Sequence, residues 1–194
     1  PHRLTRAHRT SASLHATTGG QTRSKPRAVA KSGSVGVGAP NTGAGVRTVD
    51  ILPEQAIDPN TGKLYVVWQD GRFSGGAHDA VALSSSTDSG ITWTPPTEVS
   101  TATGRAAFTP NITVASDGTV GITYYDFREL PTGNTTTPHT DYLFKISKER
   151  FAAAPQAHPP FYLLPAPHPA WSFLGHYGCR PPPASSCPPL SLPD

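Results

Sequence analysis

Two stretches of the chain share one pattern of apolar and polar positions. Leu64-Tyr-Val-Val-Trp-Gln-Asp70 and Val120-Gly-Ile-Thr-Tyr-Tyr-Asp126 are short runs rich in β-branched and aromatic residues, each closed by aspartate. Runs of that length and composition predict strands buried in a sheet. A shorter apolar run precedes each one, ending at Ile57 in the first and Val114 in the second. Between the runs stand Asn60-Thr-Gly62 and Asp117-Gly118, which tolerate positive φ and so close hairpins. A loop follows each long run, Ser74-Gly-Gly-Ala77 in one and Leu130 to His139 in the other. Third strands are predicted over Asp79 to Ser84 and Asp141 to Ser147. In the first copy Ser86 to Trp93 makes the next turn, and Thr97 to Ser100 begins a fourth strand.

The two copies are one repeat. Asp70 and Asp126 are 56 residues apart, as are Arg72 and Arg128, and both copies end in Asp-x-Arg. Three to four antiparallel strands per unit match one blade of a β-propeller, with loops longer than usual. The second copy breaks down at Lys148-Glu-Arg-Phe-Ala-Ala, which has no glycine where a turn is expected. A third, degenerate copy is expected upstream at Ala16 to Arg23, with Gly20 and Thr22 kept and Thr18 where aspartate would stand.

Ser86-Thr-Asp-Ser-Gly-Ile-Thr-Trp93 carries the strongest local signal. A short carboxylate such as Asp88 accepts hydrogen bonds from turn amides. Gly90 supplies positive φ, and Trp93 offers a large apolar face to bury. This turn resembles the Asp-box of sialidase-type propellers, in the frame Ser86, Asp88, Gly90, Thr92 and Trp93. The wider chain, over roughly residues 28–147, is similar to bacterial exo-α-sialidase-like proteins with BNR repeats. The residues that carry this are Val46-Arg-Thr48, Asp50-Ile-Leu-Pro53, Asp58-Pro-Asn-Thr-Gly62, Leu64 to Asp70, Arg72-Phe-Ser-Gly-Gly76 and Tyr124-Tyr-Asp-Phe-Arg128. In the tail, Phe173-Leu-Gly-His-Tyr-Gly178 resembles a Phe-Leu-Gly-Asp-Tyr motif with His176 at the aspartate position.

The resemblance implies an all-β fold, part of a six-bladed sialidase-type propeller amounting to about two blades. It divides the chain into a basic irregular segment at 1–27, blades at 28–151 and a Pro-rich irregular tail at 152–194, with both end segments expected to be disordered. It places the Asp-box turn at the periphery, so that Asp88 is structural. It implies a glycosidase that releases terminal sialic acid, with a glycan (sialoside) as partner and no cofactor. The parent would be secreted or on the cell surface.

Sialidases are similar in gripping the substrate carboxylate with arginines, because a guanidinium fork pairs bidentately with a planar carboxylate. They also use a tyrosine nucleophile rather than two carboxylates. The candidates here are Arg72 with Asp70, Arg128 with Asp126, and Tyr125; Arg47 and Tyr124 lie in similar context. The competing reading is a bond within each blade, repeated because the blade repeats. The first-blade Phe/Tyr-Arg-Ile-Pro motif is absent, and no tyrosine matches the nucleophile. The expectation is therefore a fragment without activity of its own, the alternative being a non-catalytic propeller that binds glycan or protein.

Composition adjusts this picture at the ends. Residues 1–49 hold eight Lys or Arg and no acid, whereas the rest holds eight bases against thirteen acids, a net of −5. A basic arm can neutralise phosphates of nucleic acid or anionic membrane, or simply be solvated. No aromatic residue interrupts it, so base stacking has no platform and no nucleic-acid partner is expected. The absence of methionine and the proline at position 1 suggest a processed or partial chain. Twelve of the 22 prolines lie between Pro155 and Pro193, around the only cysteines, Cys179 and Cys187, which can form one disulfide or stay reduced. No apolar run is long enough for a membrane span, and the eight histidines show no zinc-ligand spacing. Gly33-Ser-Val-Gly-Val-Gly38 lacks the Lys-Ser/Thr of a phosphate loop and reads as a flexible strand. Asn111-Ile-Thr113 and Asn134-Thr-Thr136 are formal glycosylation sequons.

Overall fold

The computed structural model describes residues 9–13, 16–17, 21–48, 52–102, 104–135, 139–147, 161–162 and 172–173. Among these the chain is all-β, with several small sheets and no closed barrel. The order is β1 (Arg9–Ser13), β2 (Ala16–Thr17), β3 (Thr22–Arg23), β4 (Arg27–Ser32), β5 (Val37–Gly38), β6 (Gly45–Arg47), β7 (Glu54–Ile57) and β8 (Leu64–Asp70). A single 3-10 turn at Gly71–Ser74 leads to β9 (Ala80–Ser86), β10 (Thr97–Glu98), β11 (Ala107–Val114), β12 (Val120–Asp126), β13 (His139–Ser147), β14 (Phe161–Tyr162) and β15 (Ser172–Phe173).

The repeat becomes two four-stranded antiparallel sheets, β10-β9-β8-β7 and β11-β12-β13-β14, each a meander as in a propeller blade. The long apolar runs form β8 and β12, the second strand of each sheet. The hairpin turns fall as expected. Asp58 caps the first by accepting from Asn60 N and Thr61 Oγ1, and the second brings Gly118 N onto Ala115 O.

Alternation along β8 decides how the layers stack. Val67, with Val81, Leu83 and Val99 of its sheet, packs against Ile112, Val120, Ile122, Tyr124 and Leu143 of the second sheet. Val66 and Trp68 point the other way, with Ala82, onto Val29 and Ala30 of β4. The far face of the second sheet, Phe108, Tyr125 and Phe127, is covered by Val37, Ala39 and Val46 around β5 and β6. Fully buried apolar side chains such as Val67 and Ile122 each contribute about 1.5–3 kcal/mol relative to exposure.

The end segments carry short strands as well. Residues 1–27 are not uniformly irregular: β1 pairs with β4 in an antiparallel ribbon and β2 with β3 in a small hairpin. The ribbon forms because Val29 and Ala30 have an apolar sheet to cover, a tertiary demand that a polar, Thr/Ser-rich stretch does not announce. The Pro-rich stretch likewise contains β14, which completes the second sheet beside β13, and β15, which runs parallel to β6. His176, Cys179, Cys187 and the degenerate Thr18-Gly20 positions lie outside the described residues. Gly33 to Gly36 is not a loose strand but a loop wrapped on two carboxylates, as shown next.

Candidate functional site

Both Asp-x-Arg motifs sit where the second strand of a sheet ends. The sheets share that end, because Asp70 pairs with Ala80, Ala107 pairs with Asp126, and Ala107 N donates to Asp79 O at 2.8 Å. The Ser86–Trp93 turn lies at the opposite end, after β9.

Asp70 is fully buried and saturated with donors. Trp68 Nε1 (2.8 Å) and Gly33 N (3.2 Å) reach Oδ2, Arg72 N (2.9 Å) reaches Oδ1, and Arg72 Nη2 adds a salt bridge at 2.8 Å. Burial pushes its carboxyl upward, but the bonds from Arg72 and Trp68 outweigh that and hold it below the usual range. The Arg72 guanidinium also donates to the Lys31 carbonyl of β4 and lies 5.8 Å from the Trp68 ring.

Asp126 repeats the arrangement. Arg128 N donates to Oδ1 at 3.1 Å, Nε is 3.1 Å from both oxygens, and Nη2 pairs with Oδ2 at 2.7 Å. The tip of Arg128 reaches Thr101 Oγ1 at 3.5 Å, on the connection leaving the first sheet. Each arginine therefore folds onto its own aspartate and touches the layer before it: β4 for Arg72, the first sheet for Arg128. That placement explains why the pair recurs with the blade. It closes a turn and clasps one layer to the next.

Two further buried carboxylates stand one strand over. Asp79 accepts from Ser34 Oγ (2.6 Å), Val35 N (2.8 Å), Gly36 N (3.2 Å) and Gln69 Nε2 (3.3 Å). Burial nonetheless raises its pKa. Asp141 lies directly across from Asp126 in the β12–β13 register and accepts from Glu129 N at 3.0 Å. Burial first, and the Asp126 and Glu129 charges after it, raise its pKa too. Gln69, 1% exposed, ties the sheets together by also donating to Thr48 Oγ1 (3.3 Å) and accepting from Thr109 N (2.9 Å). Thr109 sits in a β-bulge at φ 49°, a region β-branched residues rarely occupy, and its buried hydroxyl makes no hydrogen bond.

Arg128, but not Arg72, opens onto a cleft of about 250 Å³ lined also by Thr101, Ala102 and Arg105. Beneath it the buried Tyr124 hydroxyl faces Thr101 and Arg128 without meeting hydrogen-bond geometry. Lys145 donates to Val99 O, and its pKa is lowered by burial and by the Arg128 charge. Two guanidinium groups beside a hydroxyl suit a small anionic group.

The candidate residues thus separate. Arg128 and Asp126 belong to this cleft; Arg72 and Asp70 face β4. Tyr125 lies on the opposite face, tilted against Tyr142 at 4.7 Å and stacked with Phe108 at 6.0 Å, with a pKa pushed to about 12 by burial and by the neighbouring Tyr142. Tyr124 is the tyrosine on the cleft side. The period-2 rule carries that signal, since Tyr124 shares the parity of Asp126 and Tyr125 does not. Asp79 and Asp141 begin the predicted third strands, so the repeat marks them as equivalent but carries no sign of their burial, whereas Thr101 and Arg105 lie in the connection between the copies, outside the repeat. Arg47 ends β6.

In the Ser86–Trp93 turn, Asp88 Oδ1 accepts from Ser86 Oγ (2.8 Å), Ile91 N (3.0 Å) and Thr92 N (2.9 Å), and Oδ2 accepts from Thr92 Oγ1 (2.5 Å). Ser86 Oγ accepts from Gly90 N at 2.9 Å, and Gly90 holds φ 79°. Those bonds, from Thr92 above all, hold the Asp88 pKa at about 2. Trp93 packs beside Trp68 and Val66. Every acceptor of Asp88 is spent on its own turn. Among the described residues no three of His, Cys, Asp or Glu gather as a metal site, and no helix is long and apolar enough to cross a membrane.

No family model and no curated protein matches the chain. Among solved structures, the Hadza microbial sialidase Hz136 aligns over 73% of this chain and 31% of its own, at 18% identity and a TM-score of 0.44. The chain thus spans about a third of that sialidase's length. A likeness at that level carries no chemistry with it.

Proposed function

We propose that this chain is part of a sialidase-like propeller glycosidase, and that its share of the chemistry is to hold an anionic sugar rather than to cut the glycosidic bond. The observation that carries this is the cleft at Arg128 and Arg105, lined also by Thr101 and Ala102, at the end of the sheets away from the Ser86–Trp93 turn. A carboxylate entering there would meet the Arg105 cation beside the Arg128–Asp126 pair, without any buried acid having to change charge. Asp126 is occupied by Arg128, Asp141 by Glu129 N, and Tyr125 lies on the wrong face. Among the described residues no nucleophile–acid pair therefore converges on the cleft.

The second reading, a non-catalytic propeller that binds glycan through the same cleft, is favoured by the engagement of each motif arginine with its own aspartate. Two measurements separate the readings. The longer parent should release the fluorophore from a fluorogenic sialoside, whereas this chain should not; a folded parent with no turnover sinks the glycosidase reading. N-acetylneuraminic acid titrated into this chain should bind weakly, and Arg105→Ala should abolish that binding. Unchanged binding in the variant would remove the cleft from either reading.

A further inference from the structure

The basic N-terminal stretch is not a free tail over its described length. From Thr22 to Ser32 it runs through β3 and β4, and β4 is seated on the first sheet by Val29 and Ala30. Four of its side chains, Arg23, Lys25, Arg27 and Lys31, are exposed. Arg23, Lys25 and Arg27 occupy every second position, and Lys31 follows on the same strand. Among the described residues the ion pairs are Arg72–Asp70 and Arg128–Asp126, so none of the four is neutralised by a carboxylate. The first acid in the chain is Asp50. A folded scaffold thus presents a row of uncompensated cations at most about 29 Å long.

Uncompensated like charges repel one another, and a polyanion relieves that repulsion while releasing its own counterions. We propose that this ribbon is a docking surface for a linear anionic polysaccharide, bearing sulfate or uronate groups. It is separate from the Arg105–Arg128 cleft and independent of the glycosidase reading. Nucleic acid is the less favoured partner. The first aromatic residue of the chain is Tyr65, so the ribbon itself has nothing on which bases could stack.

The test is fluorescence polarisation of a labelled heparin-derived octasaccharide titrated with the full chain at 50 to 200 mM NaCl. Four counterions released predict a slope of log K against log salt near −3, a loss of roughly fifty- to a hundredfold in affinity across that range. The variant R23Q/K25Q/R27Q/K31Q should flatten the slope by about 3, and R23Q/K25Q, which leaves β4 untouched, by about half as much. If the fourfold variant loses its far-UV circular dichroism, the double variant decides. The proposal is overturned by absent binding at 50 mM salt, or by a slope unchanged in the variants. It is overturned equally if duplex DNA, single-stranded DNA or phosphatidylserine vesicles bind as tightly as the octasaccharide at equal salt.

Discussion

Replacing Gln69 with leucine removes the side chain that joins the two sheets while nearly preserving its volume. Gln69 is 1% exposed, and its Oε1 is the partner of Thr109 N at 2.9 Å. Leucine leaves that N–H buried without an acceptor, a cost of about 1–3 kcal/mol. The donations to Asp79 and Thr48, both 3.3 Å, are long and add about 0.5 kcal/mol each at most. Asp79 keeps Ser34 Oγ, Val35 N and Gly36 N, so its carboxyl is not stranded. The expected loss is therefore about 2–3 kcal/mol. With a slope near 2 kcal/mol/M in urea, the midpoint should fall by about 1–1.5 M, followed through tryptophan fluorescence. Gln69→Glu sharpens the test, because it keeps the acceptor for Thr109 N but sets a second carboxylate against Asp79. Its deficit should grow as pH rises from 4 to 7, when both acids ionise; the leucine variant's deficit should not. A Gln69→Leu midpoint within about 0.3 M of the parent would refute the claim that this bond holds the strained Thr109 bulge and couples the sheets.

Trp68 and Trp93 should respond differently to phenylalanine in the same urea assay. Trp68→Phe strips a 2.8 Å bond from the buried Asp70 carboxylate and should cost about 1.5–3 kcal/mol, whereas Trp93 Nε1 has no partner, so Trp93→Phe should cost under about 1.5 kcal/mol. Arg128→Met leaves Asp126 buried with only the residue 128 N–H for a partner and should cost about 3 kcal/mol; replacing both as Asp126→Leu with Arg128→Met should recover part of that. Asp88 has a folded pKa of about 2 against an ordinary value of 3.8, so its stabilisation is complete above about pH 5 and is lost as pH falls toward 2. Acid unfolding followed by circular dichroism should accordingly be shallower between pH 4 and 2 for Asp88→Asn than for the parent, and parallel curves would contradict the turn geometry.

The repeat, the hairpin turns and the runs that become β8 and β12 were legible in the sequence, because strand composition and positive-φ turn residues act locally. The Ser86–Trp93 turn was legible for the same reason: its bonds run over at most four residues, from Asp88 to Thr92 and from Gly90 to Ser86. The candidate site was only half legible. The spacing of Asp70, Arg72, Asp126 and Arg128 showed that they are equivalent, but not that each arginine would be spent on its own aspartate.

What the sequence determined by itself was the unit, a short meander closed by Asp-x-Arg at one end and a glycine turn at the other. Tertiary structure decided which layers meet. It set β4 on Trp68, turned Tyr124 toward Arg128 and Tyr125 away, wrapped Gly33 to Gly36 around Asp79, and brought Arg105 beside Arg128. Those contacts join residues as far as 45 positions apart, as Ser34 is from Asp79. Apolar burial and the need to satisfy buried carboxylates select them, and both act through space, where local spacing carries no record of them.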